Sequence, residues 1–75
     1  MDIPDRLIEL QQAADAERDK LTGLDGQERA DQWQRWFEAA AVSQAAVTEH
    51  AQQAGTPRGQ IEAAVKKAVR HRDDG

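Results

Sequence analysis

Seventy-five residues hold one domain, here residues 1–75, and a chain this short buries only about 60% of the surface its unfolded form exposes. There is no cysteine, so disulfides and thiolate metal sites are excluded, and with only two Trp and one Phe among the aromatics the core has to be assembled from a few large side chains set among alanines. The net charge of -4 is uneven: residues 1–25 carry seven acids and three bases, residues 26–55 four acids and two bases, and residues 56–75 three acids and five bases.

The chain opens Met-Asp-Ile-Pro-Asp, without a basic region leading into an apolar stretch, and nowhere do about 18 apolar residues run together. Neither a secretion signal nor a membrane span is expected, and the predicted location is cytoplasmic. The pattern predicts an all-α fold of three helices, at about 4–22, 26–54 and 57–71. Asp2 and Asp5 supply carboxylates for the first amides, and Pro4 is tolerated in a first turn. Ile3, Leu7, Leu10, Ala14, Glu17, Leu21 and Leu24 then alternate in spacings of four and three, an apolar seam interrupted once by Glu17. Gly23 closes that helix.

Asp25 followed by Glu28 reads as a capping box. The connection is short enough to make the second helix an antiparallel neighbour of the first, giving a helical hairpin. Ala30, Trp33, Phe37, Ala40, Gln44, Val47, Ala51 and Ala54 repeat the seam without Gly or Pro until Gly55, so one unbroken helix of about 29 residues and about 43 Å is expected. Gly55, Thr56 and Pro57 signal a stop and a restart. The third helix presents Ile61, Ala64, Val65, Ala68 and Val69 on one face and is expected to fold back on the central helix.

The expected division of labour has the first helix covering the half of the central helix that carries Trp33 and Phe37, packed against Leu7, Leu10 and Ala14. The third helix covers the half that carries Val47, Ala51 and Ala54, with overlap near Ala39, Ala40 and Ala41. Each half then has one partner, which leaves apolar surface open. Trp36, about 100° around the helix from Phe37, is the expected anchor for a homodimer or for another protein.

Nothing in the chain reads as catalytic. Ser43 and His50 share a helix face but stand two turns apart, Glu49 and His50 point in different directions, and His71 has only the terminal acids nearby. No catalytic residue, metal site, cofactor or small-molecule ligand is predicted. The functional expectation is a non-enzymatic protein-interaction module that binds itself or another protein. The alternative is a DNA-associated protein using Arg58, Lys66, Lys67, Arg70 and Arg72, supported by the helix-turn-helix spacing of Ala51, Gly55 and Ile61. Cations at a helix C-terminus also complement its dipole, and the face led by Arg58, Gly59, Glu62 and Ala63 offers little to base edges.

The stretches Leu-Asp-Gly-Gln-Glu-Arg-Ala (24–30), Ala-Ala-Val-Thr-Glu-His-Ala (45–51) and Ala-Ala-Val-Lys-Lys-Ala-Val-Arg-His (63–71) resemble small hypothetical proteins of high-GC actinobacteria. Seven Arg against three Lys agrees with such a source. The resemblance implies no nameable activity and no functional residue.

Overall fold

The computed structural model describes residues 3–74 as three helices: α1 (Asp5–Asp19), α2 (Gly26–Ala54) and α3 (Arg58–Asp74). The molecule measures 43 × 28 × 17 Å, its long edge set by α2. Among the described residues no helix is long and apolar enough to cross a membrane.

The helix ends follow the expected punctuation with local differences. α1 stops at Asp19 rather than Thr22, because Leu21 N and Thr22 N turn to the carbonyls three residues back, Arg18 and Asp19, and a tight turn carries the chain through Gly23 at φ 85°. Asp2 lies outside the described residues. Asp25 occupies the position before α2 in extended conformation, yet its side chain makes no capping bond. Gly55 closes α2 in the left-handed region (φ 65°), with Thr56 N bonded to Ala51 O at 3.1 Å. The Thr56 hydroxyl donates back to Ala54 O instead of capping α3, whose first turn hangs on Pro57 O, the acceptor for Gln60 N and Ile61 N.

α1 packs against both other helices, and one shared core joins all three. Leu7 and Ile8 of α1, Ala46, Val47 and Ala51 of α2, and Ile61, Val65 and Val69 of α3 are buried together, with Ile3, Leu10 and Ala68 packed at the margin. The expected α3 face is therefore the one used. Ile8, beside the seam residue Leu7, is buried as well because α1 has two partners to satisfy.

The expected division of α2 between its neighbours is corrected. Bonds from Gln32 to Glu17 and from Ser43 to Gln11 run α1 antiparallel along much of α2, and Leu7 reaches Ala46, in the half assigned by sequence to α3 alone. The short turn after α1 forces this register, since it brings α2 back alongside α1 at once. The placement of Trp33 and Phe37 in the core is corrected too. Trp33 is 44% exposed and Phe37 52%, while Gln32 (4%) and Ser43 (1%) are buried in their stead.

The shared core is small, so each of its large members carries much of the stability. Ile61→Ala, at a side chain 1% exposed, is expected to cost about 2–5 kcal/mol and leave the chain largely unfolded at 37 °C, as read by urea denaturation followed by circular dichroism.

Candidate functional site

α2 carries two helical stripes about one residue, or 100°, apart. One is Gln32, Trp36, Ala39, Ser43, Ala46 and His50; the other is Ala30, Trp33, Phe37 and Ala41. The first turns inward, with Gln32, Ser43 and Ala46 buried and Trp36, Ala39 and His50 half-buried. The second is exposed at Ala30, Trp33, Phe37 and Ala41, while farther along the same side of α2 Ala40 is half-buried and Val47 and Ala51 enter the shared core.

Polar bonds set this rotation. Gln32 Nε2 donates to Glu17 O at 2.7 Å and to the Glu17 carboxylate at 2.6 Å, and Ser43 Oγ donates to Gln11 Oε1 at 3.3 Å. Glu17 also accepts from Lys20 Nζ at 3.2 Å, and Arg35 donates to Gln32 Oε1 at 3.4 Å. The interrupted position in the first seam is thus a junction. Hydrogen bonds from the Gln32 amide and then from Lys20 hold the Glu17 carboxyl below its usual range, against an opposing effect of burial and with a lesser pull from the positive charges of Lys20 and Arg35.

The outward stripe forms the one aromatic surface. Trp33 and Phe37 stack, centroids 5.5 Å apart and planes 15° from parallel, and Trp36 meets Trp33 edge-on at 5.7 Å and 76°. Gly26, Arg29, Ala30 and Trp33 line a shallow hollow at the start of this face. Trp36, the anchor expected from sequence, sits half-buried at the edge of the cluster, and the larger exposed areas belong to its neighbours. The signal that could have revealed this was Glu17: a carboxylate on the α1 seam calls for a polar partner, and the polar stripe of α2 supplies one.

The five cations of the alternative reading do not form one surface. Arg58 clamps α3 to α2, its Nε on Thr48 Oγ1 at 2.9 Å, its guanidinium also on Gln44 Oε1, and pairs with Glu62 at 3.1 Å. Arg72 pairs with Asp5 at 2.7 Å and ties the end of α3 to the start of α1. Lys66 and Arg70 border α1, whereas Lys67 lies with His71, Ala64 and Ala68 at a different hollow. The turn itself has Ala51 and Ile61 buried on either side of Gly55.

Ser43 is buried and bonded to Gln11, and His50 borders a small hollow between the start of α1 and the end of α2, beside Arg6 and Glu49. Among the described residues no three His, Asp or Glu side chains gather as a metal site. Comparison with protein-family models, with curated proteins and with solved structures finds no match.

Because the folded state holds Glu17 ionised more readily than the unfolded chain does, its contribution is complete above the ordinary carboxylate value of 4.5 and is lost as pH falls through the lower folded-state value. The difference in unfolding free energy between the wild type and Glu17→Gln is expected to be largest above pH 4.5 and to shrink below it, measured by urea titrations across that range.

Proposed function

We propose that this chain is a non-enzymatic, cytoplasmic interaction module that binds another protein or a second copy of itself through the aromatic face on the N-terminal half of α2, with Trp33 and Phe37 central and Trp36 at the inner edge. The observation that carries this reading is that Trp33 and Phe37 stay about half exposed on the N-terminal half of α2, although the same side of the helix is buried at Val47 and Ala51. Aromatic side chains bury about 150–250 Å² each, so two that are near half-exposed leave about 200 Å² uncovered, which is about 5 kcal/mol of unused burial. Residues of this type, clustered and stacked, are those that anchor interfaces. A reducing compartment suits a chain without cysteine.

Paired symmetrically, the two rings account for about 400 Å², well short of the 1,200–2,000 Å² of a standard stable interface. Self-association through this face alone is therefore weak, with a Kd above about 1 µM, and a tighter complex needs a partner that also covers the hollow at Ala30. The DNA-associated reading ranks second and rests on the helix corner at Gly55; it requires salt-sensitive duplex binding that weakens in Lys66→Ala with Lys67→Ala.

Trp33→Ala with Phe37→Ala is the direct test. About half of each side chain is covered, so the double variant is expected to lower unfolding free energy by about 1–3 kcal/mol while abolishing concentration-dependent association in sedimentation equilibrium, and with it retention of any protein partner. A wild type that remains monomeric at millimolar concentration and captures no partner that the variant fails to capture would remove the reading.

A further inference from the structure

A row on α1 formed by Gln11, Asp15 and Arg18 faces a row on α3 formed by Lys66 and Arg70, and Val69 lies between them. The rows follow from helical spacing, at four and three residues on α1 and four on α3. They border a shallow hollow of about 350 Å³ that is open to solvent. Three cations from two helices thus share one hollow on a chain of net charge -4. Neither Arg18 nor Lys66 takes part in an ion pair among the residues whose side chains are described, although Arg58 and Arg72 of α3 both do. The one acid in the groove, Asp15, already accepts from Gln11 Nε2 at 2.9 Å, and Gln11 is held in turn by Ser43.

Helix dipoles do not account for this grouping. Arg18 belongs to the last turn of α1 and is favoured there, but Lys66 stands eight residues before the end of α3, beyond the reach of its terminal partial charge. Lys66 and Arg70 are like charges one turn apart, with Glu62 one turn before Lys66 on the same helix. Arginine forks and a lysine ammonium are the donors that match phosphate oxygens, and two arginines with one lysine against one acid leave a charge that a phosphate group neutralises.

We propose that the groove between α1 and α3 binds a small phosphate-bearing anion, held by Arg18, Lys66 and Arg70. It is independent of the aromatic face: none of its lining residues is Trp33, Trp36 or Phe37.

The test is a titration of the full chain with inorganic phosphate and then pyrophosphate, at ionic strength held constant with chloride, followed through backbone amide shifts. The expected result is a saturable response at Arg18, Lys66 and Arg70, tighter for pyrophosphate, weakened about tenfold in Lys66→Ala and unchanged in Lys67→Ala, which removes the same charge from a different side of α3. Arg18→Ala gives the same loss from the other wall, so a local disturbance of α3 does not mimic it. Non-saturating shifts equal to those of chloride, or equal losses in the Lys66 and Lys67 variants, would overturn the assignment. Binding to a short DNA duplex that both variants weaken alike would also overturn it, replacing a small-anion groove with a diffuse phosphate-backbone surface.

Discussion

Glu17 offers both its backbone carbonyl and its carboxylate to a single amide, Gln32 Nε2, and that shared bond fixes which side of α2 faces inward. A 29-residue helix packed along one edge is free to rotate about its axis until something specifies the angle. Apolar contact is a poor specifier, because it rewards any apolar side roughly in proportion to area. A buried amide is stricter, since leaving it unbonded costs about 1–3 kcal/mol and only one rotation brings it to Glu17. Ser43 on Gln11 repeats the constraint further along α2, in the same register. Among the described residues no buried side-chain nitrogen or oxygen is left without a partner.

The remaining surface follows from that angle. Trp33 and Phe37 stay exposed on the N-terminal half of α2 while Val47 and Ala51, on the same side farther along, are buried, and Trp36 is left at the boundary between core and solvent. The same rotation puts Val47 and Ala51 where α3 can close the shared core with Ile61, Val65 and Val69. Stability is concentrated at the C-terminal half of α2, where all three helices meet. The N-terminal half is held mainly by polar bonds and presents the aromatics, so binding surface and hydrophobic core occupy opposite ends of one helix.

Charge is distributed by the same economy of a small chain. Arg58 and Arg72 fasten the two ends of α3, one to α2 and Glu62, the other to Asp5 of α1. Arg18, from the acidic N-terminal segment, comes to border Lys66 and Arg70. A cluster that looks continuous along α3 is thus divided in space between fasteners, one groove and the opposite side.

From the sequence alone the helix count, the unbroken span 26–54, the stop and restart at Gly55 and the apolar face of α3 were legible, because each depends on local periodicity and on the conformational limits of Gly and Pro. The expected seam holds at Val47 and Ala51, which are core, but not at Trp33 and Phe37, where Gln32 and Ser43 are buried instead. Local pattern cannot rank two stripes 100° apart when the deciding energy lies in hydrogen bonds to another helix. Arg18 joining Lys66 was equally invisible, being a meeting of residues 48 positions apart. Sequence determined the helices and their limits; only tertiary packing decided the rotation of α2, because the polar partners that specify it are brought within reach by the fold itself.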